Sequence, residues 1–141
     1  MRLVVDASVA VKWVADEEDS DKAARLLRGL YELHAPRLLV AEIGNALWRK
    51  ARAGTMRRSR AARLAAAIAE MPVLWAEDEV VASASVRLAL ELDRPVYDCV
   101  YLALAHRLGA TLVTADARFV NALADTEHGE VAVSLASLVE A

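Results

Sequence analysis

Short apolar runs alternate with amphipathic stretches along most of the chain. The runs that predict β-strands are Arg2–Val5, His34–Ala35, Pro72–Trp75, Ala110–Thr114 and Val131–Ser134. Apolar residues at helical spacing predict helices over Ala7–Val14, Asp21–Leu33, Leu38–Ala53, Ser59–Met71, Glu77–Leu92, Tyr97–Leu108 and Ala117–Ala124. Strands that alternate with helices in this way are typical of an α/β fold, in which helices cover both faces of a parallel sheet.

Residues at the predicted helix ends support several of these boundaries. Gly54 and Gly109 are suited to C-caps, and we expect Ser20 and Ser59 to be N-caps. In a parallel sheet, right-handed crossovers place ligand sites beyond the carboxyl ends of the strands, near the point where the strand order reverses. Candidate functional residues are therefore sought at those strand ends.

Composition narrows the class of protein. The chain has 141 residues, which fits a single domain over residues 1–141, and 57% of them are hydrophobic. No apolar run reaches the roughly 20 residues of a membrane helix, and no signal peptide is recognisable, so we expect a cytoplasmic protein without membrane contact. Cys99 is the single cysteine, which excludes an intrachain disulfide and a cysteine-rich metal site.

Charge is unevenly distributed although the net charge is only −3. Residues 43–69 contain no acid, and their basic residues are Arg49, Lys50, Arg52, Arg57, Arg58, Arg60 and Arg63. Such a run is either a solvated helix face or, if an active site lies beside it, a surface that faces phosphates. An acidic cluster spans residues 16–21.

Four acids lie where the predicted fold would bring them together. Asp6 ends the first strand and Asp116 follows the fourth, so both lie at the carboxyl edge of the sheet. Glu42 shares a helix face with apolar residues, and Asp98 opens a helix, at the positive end of its dipole. Asn45 lies one turn after Glu42, where it could orient the carboxylate.

Each acid also has a simpler explanation. Asp6, Asp98 and Asp116 could be helix caps or first-turn acids, and Glu42 could pair with Arg49 or Lys50. Four acids at one edge favour a shared site, because independent caps need not converge. Clustered carboxylates repel one another unless a cation intervenes, and Mg²⁺ or Mn²⁺ prefers such oxygen ligands. No His or Cys spacing indicates zinc, and we expect His34, His106 and His128 to be ordinary helix or loop histidines.

The segments around these acids resemble the PIN-domain family, and within it the VapC-type toxins of prokaryotic toxin–antitoxin pairs. The matching segments are Val4–Ser8, Glu42–Leu47, Tyr97–Ala105 and Leu112–Phe119. They occur in order and at family-like spacing over essentially the whole chain. The resemblance implies a three-layer α/β/α sandwich around a parallel sheet of about five strands, and a Mg²⁺- or Mn²⁺-dependent endoribonuclease.

The resemblance also assigns roles. Asp6, Glu42, Asp98 and Asp116 match the family's four acidic, metal-binding and catalytic positions, with Glu42 as a metal ligand or proton acceptor. Ser8, Asn45 and Thr114 match polar positions that orient the acids or a metal-bound water. Expected RNA contacts, which continue from the Glu42 helix, are Arg49, Lys50 and Arg52. A homodimer and a cognate antitoxin, whose tail lies in an apolar and basic groove near the site, are implied as partners.

Two other classes of protein also use acids at the ends of parallel strands or keep them without catalysis. A phospho-acceptor receiver domain needs an acidic pair on its first strand and a lysine after a late strand. Here Val5 precedes Asp6 and Ala115 follows Thr114, which disfavours that class. A catalytically silent PIN-like module that only binds RNA or protein would keep the same acids, and metal-dependent cleavage of RNA distinguishes it from an enzyme.

Overall fold

The computed structural model describes residues 1–140. Its strands form one sheet in the order β3-β2-β1-β4-β5, and every neighbouring pair is parallel. The strands are β1 Arg2–Val5, β2 Glu32–Pro36, β3 Leu74–Ala76, β4 Thr111–Thr114 and β5 Ala132–Ser134. The predicted parallel sheet of about five strands is confirmed.

Helices connect all of these strands. They are α1 Ala7–Val14, α2 Ser20–Arg25, α3 Leu38–Arg52, α4 Arg58–Ala66, α5 Ala82–Leu92, α6 Val96–Leu108, α7 Ala117–Leu123 and α8 Leu135–Glu140. Connections from β1 to β3 proceed toward one edge of the sheet, and those from β3 to β5 return toward the other. Because crossovers of parallel strands are right-handed, the connecting helices before β3 and those after it, α5 to α7, cover opposite faces. Helix α8, which follows the last strand, packs against α2. The α/β/α sandwich is thereby confirmed.

The core lies along the central strands and α6. Leu3, Val4 and Val5 are fully buried, as expected of a strand covered on both faces. Cys99–Ala105 is buried throughout, so α6 is apolar on all sides and is packed inside the fold. This packing fixes the direction of α6, and with it the position of Asp98 in its first turn. Within residues 1–140, no helix has both the length and the apolar content needed to cross a bilayer.

The helix predicted over Asp21–Leu33 is wrong in its second half. Helix α2 ends at Arg25, and Gly29 takes a positive φ of 82° before β2 begins at Glu32. Residues at the start of β2 also show helical spacing, but they pair in parallel with β1 instead. Long-range contacts in the sheet outweigh the local helix propensity there. Ser20 lies inside α2 and is not its N-cap.

Other boundaries differ by smaller amounts. The N-cap of α4 is Arg57, so the predicted cap at Ser59 is wrong, and residues 67–70 tighten into a 3₁₀ turn. A second 3₁₀ turn precedes α5. Helix α8 was not predicted. Gly54 and Gly109 follow α3 and α6 with positive φ angles of 82° and 60°, which confirms both predicted helix ends.

Candidate active site

Two of the predicted acids flank the point where the strand order reverses, between β1 and β4. Both are helix N-caps. Asp6 Oδ1 accepts a hydrogen bond from the Val9 amide at 3.3 Å, and Asp116 Oδ1 accepts from the amides of Arg118 and Phe119 at 3.0 and 3.3 Å. The simpler explanation as caps is therefore correct for both, and it coexists with their place at the site. One oxygen of each carboxylate is fixed by the backbone.

Ser8 and Thr114 connect the two acid-bearing loops. The Ser8 hydroxyl donates to Asp6 Oδ1 at 2.6 Å and accepts from the Ala115 amide at 2.8 Å. It also lies 3.2 Å from the Thr114 hydroxyl, which accepts from the Asp116 amide at 3.0 Å. These bonds tie the end of β1 to the end of β4, so both side chains contact the loops that carry the acids.

Glu42 enters the site from α3 and faces α6. Its Oε1 atom and the hydroxyl of the neighbouring Tyr101 are both buried, and neither makes a hydrogen bond of ordinary geometry, although the two side chains lie close enough to interact with each other. Burial raises the pKa of Glu42, the Tyr101 hydroxyl opposes the rise, and repulsion from Asp98 adds to it. Asn45 lines the same cavity but does not bond this oxygen. No hydrogen bond from Asn45 to Glu42 Oε1 therefore supports the predicted orienting role of Asn45.

Asp98 enters from the first turn of α6. Burial raises its pKa and Asp116 adds to the rise, while Arg94, whose Nη2 lies 3.5 Å from Asp98 Oδ2, opposes it. The Arg94 guanidinium also stacks over Phe119, 4.8 Å from the ring centre. Sequence reasoning missed Arg94, although an arginine four residues before an acid is a recognisable pairing.

All four acids line one cavity of about 850 Å³. Burial, together with repulsion from Asp98, raises the pKa of Asp6 to about 6 despite hydrogen bonds from Ser8, Thr114 and the Val9 amide. Asp98 thus repels Asp6 and Glu42, and Asp116 repels Asp98. The predicted convergence is present, and the cavity concentrates negative charge that a cation would neutralise.

The donor set fits a hard divalent ion. It consists of carboxylate oxygens, and the unpartnered Glu42 Oε1 atom supplies a ligand that nothing in the described chain satisfies. Among residues 1–140, no three of these acids bring oxygens within 4.8 Å of one another. An ion here would accordingly contact one or two carboxylates directly and the others through water, which is the coordination that Mg²⁺ prefers.

Comparison with known proteins agrees with this geometry. The profile of the PIN domain matches residues 3–124. The chain belongs to the PIN-domain family. It is 36% identical over 121 residues to ribonuclease VapC3 of Pyrobaculum aerophilum, which covers 82% of this chain and 90% of that protein.

Solved structures share the fold. PAE2754 from Pyrobaculum aerophilum has a TM-score of 0.71 and 29% identity, and the match covers 99% of this chain and 96% of that one. VapBC2 from Rickettsia felis, bound to a DNA fragment from its promoter, has a TM-score of 0.66 and 13% identity, with coverage of 95% and 98%. The family resemblance found in the motifs is therefore confirmed.

Basic side chains form one wall of the PIN-domain cavity. Lys12, Arg49 and Lys50 line it, and the Glu17 carboxylate lies between the two lysines, 3.4 Å from Lys12 Nζ and paired with Lys50. Burial raises the pKa of Glu17, but hydrogen bonds and charge attraction from the two lysines outweigh this effect and hold the pKa below its ordinary value. Sequence reasoning grouped Glu17 with a solvated acidic cluster, because nothing local connects it with Lys50.

Arg52 is the predicted RNA contact that lies outside this PIN-domain cavity. Its guanidinium covers the exposed Trp48 ring at 5.3 Å, and both residues line a separate groove of about 570 Å³ between α3 and α4. Of the three predicted contacts, Arg49 and Lys50 therefore border the acids and Arg52 does not.

Proposed function

We propose that this PIN-domain protein is a divalent-metal-dependent endoribonuclease that acts as the toxin of a VapBC-type toxin–antitoxin pair, with Mg²⁺ or Mn²⁺ as cofactor. One observation carries the proposal: four acids from separate elements line one cavity, and Glu42 presents a buried, unpartnered oxygen there. The relative named ribonuclease VapC3 supports RNA as the substrate.

The four acids have different proposed roles because their surroundings differ. Asp6, Asp98 and Asp116 would hold the ion, and Glu42, whose pKa is raised by burial, would accept the proton of the attacking water. A bound ion would lower the pKa of that water and stabilise the leaving oxygen. Ser8 fixes Asp6 through the 2.6 Å bond, so that carboxylate is oriented before substrate arrives.

The basic wall gives the RNA backbone a path away from the acids. Arg49 and Lys50 border the cavity, and a neighbouring cleft of about 610 Å³ is lined by Lys50, Arg57, Arg60 and Arg63. Because Lys50 belongs to both, phosphates could follow a continuous basic surface from the cut site. Nothing in this path requires Arg52.

The groove between α3 and α4 fits the tail of an antitoxin. It is lined by apolar side chains such as Leu47 and Trp48, together with Arg52 and Arg58. Trp48 is 53% exposed, so a partner has a large ring to bury there. We assign Arg52 to this groove.

A homodimer is the second proposed assembly. Val86 and Leu90 lie one turn apart on α5 and are 52% and 79% exposed. A second copy of the chain would cover this apolar strip. Leu90→Lys should shift the protein from dimer to monomer in light scattering, and an unchanged mass would reject this strip as the interface.

Cleavage of a structured RNA by the purified protein tests the proposed enzyme. We expect cleavage with Mg²⁺ or Mn²⁺, none with a chelator, and a loss of more than about a hundredfold in Asp98→Asn, because even an outer-shell partner is worth 10–100-fold. Asp93→Asn removes the same charge from an exposed position outside the cavity and should cleave normally. Cleavage that persists in chelator or in Asp98→Asn contradicts the proposal, and RNA binding without cleavage favours a silent module.

A further inference from the structure

A second polar cluster lies away from the acids, where α5, α6 and the segment between α7 and β5 meet. His128 is only 5% exposed, and both of its ring nitrogens have neighbours. Its Nε2 atom lies 3.1 Å from Glu91 Oε1 and 3.6 Å from Glu127 Oε1, while Nδ1 lies 2.8 Å from His106 Nε2. One nitrogen of a buried histidine therefore faces two carboxylates at once.

The 3.1 Å separation fits a hydrogen bond between His128 and Glu91, and the spacing of all three groups fits a metal site as well. A single N–H is directed at one acceptor, and a second carboxylate beside it adds repulsion. Tetrahedral zinc with bonds of 2.0–2.1 Å places its ligand atoms about 3.3 Å apart, and the two observed separations, 3.1 and 3.6 Å, lie on either side of that value. The three ligand atoms of Glu91, Glu127 and His128 all lie within 4.8 Å of one another.

His106 lies within hydrogen-bond distance of the far nitrogen of His128. The two rings meet edge to face, with centroids 4.9 Å apart. If His128 Nδ1–H donates to His106 Nε2, the lone pair of His128 Nε2 is free to bind metal. A hydrogen bond on the far nitrogen is the usual way in which a zinc-bound histidine is oriented.

We propose that Glu91, Glu127 and His128 bind one Zn²⁺ ion, with His106 as a positioning residue. Imidazole with two carboxylates suits zinc, whereas Mg²⁺ prefers an all-oxygen set. The fourth position opens into a cleft of about 680 Å³ that these residues line, so water can occupy it. The ion joins α5 to the segment that follows α7 and stabilises the fold there. No zinc-ligand spacing is visible in the sequence because Glu91 is distant in the chain from the other two ligands.

Zinc binding is measured in the presence of saturating Mg²⁺, which occupies the oxygen-rich cavity of the four acids. Zinc at a hundredfold excess over its Kd should raise the Tm of the wild-type protein by roughly 9 °C. Glu127→Gln should lose that shift and bind one zinc fewer in equilibrium dialysis. The Glu127 side chain is 76% exposed, so this substitution leaves folding intact.

Two controls make the result specific. Glu130→Gln removes a nearby exposed carboxylate that is no ligand, and it should keep the full zinc response. RNA cleavage with Mg²⁺ should be unchanged in Glu127→Gln, which separates this site from the acids. If Glu127→Gln binds as much zinc as wild type, or shows the same rise in Tm, the proposed site does not exist.

Discussion

Replacing Asp6 by asparagine should stabilise the metal-free protein at neutral pH while it removes metal-dependent cleavage. The asparagine keeps an Oδ1 acceptor for the Ser8 hydroxyl and the Val9 amide, so the cap and the link to β4 survive. What disappears is a carboxylate whose charged form is disfavoured by burial and by Asp98. Function and stability therefore respond in opposite directions to the same substitution.

The size of the effect follows from the pKa of Asp6. It rises from 3.8 to about 6 on folding, and each pKa unit corresponds to about 1.36 kcal/mol. Below pH 3.8 both states are protonated and folding costs nothing extra at Asp6. Between pH 3.8 and about 6 the folded state holds a proton that the unfolded state has lost, so stability falls as pH rises. Above that window the cost is about 3 kcal/mol, or roughly 10 °C in Tm for a chain of this length.

Urea unfolding in chelator from pH 4 to pH 8 measures this difference. The free energy of unfolding of Asp6→Asn, relative to wild type, should grow by about 2.4 kcal/mol between pH 4 and pH 7, because part of the cost of about 3 kcal/mol is already present at pH 4. Glu70→Gln, which removes an exposed carboxylate, should follow wild type throughout. Added Mg²⁺ should stabilise wild type more than Asp6→Asn, because the ion offsets the buried charge.

Parallel pH curves for wild type and Asp6→Asn would refute the reasoning, since they would mean that Asp6 titrates normally in the folded protein. Cleavage of RNA by Asp6→Asn at the wild-type rate would separately reject its role as a metal ligand. The two results are independent, so the stability argument can fail while the nuclease proposal stands.

Further substitutions test other parts of the structure. Ser8→Ala should weaken the apparent Mg²⁺ affinity in cleavage titrations by roughly tenfold, because Asp6 loses its orienting partner. Lys50→Gln should lower the salt dependence of RNA binding by about the amount that one phosphate contact contributes. Binding constants measured at several salt concentrations would show this decrease. Gly129→Ala should cost about 1–3 kcal/mol in urea unfolding, since its Cβ would lie 2.7 Å from a backbone oxygen. Gly44→Ala, a control inside α3 with open space around it, should instead stabilise by up to about 1 kcal/mol.

The sequence was sufficient to locate the acids because their positions depend on local patterns. Asp6 and Asp116 follow apolar runs that form β1 and β4, and parallel strands end at one edge. Glu42 lies on a helix whose apolar spacing sets the direction of its side chain, and Asp98 opens a helix that is apolar on all sides. Ser8 and Thr114 were found through the same motifs, and the structure supplies their contacts.

The features that were missed depend on long-range contacts. Lys50 pairs with Glu17, and His128 meets Glu91, because packing brings together elements that have no common sequence pattern. The prediction for the end of α2 is wrong for the same reason, because the chain from Glu32 onward pairs with β1 in the sheet. Local spacing describes single elements and carries no information on their partners.

The helix caps at Asp6 and Asp116 place one oxygen of each carboxylate by a hydrogen bond to its own loop. Positioning these two side chains therefore needs no metal, in contrast to proteins whose folding requires metal at the active centre. A chelator that blocks cleavage should accordingly leave the backbone around both acids unchanged, so a loss of activity can be told apart from a loss of fold.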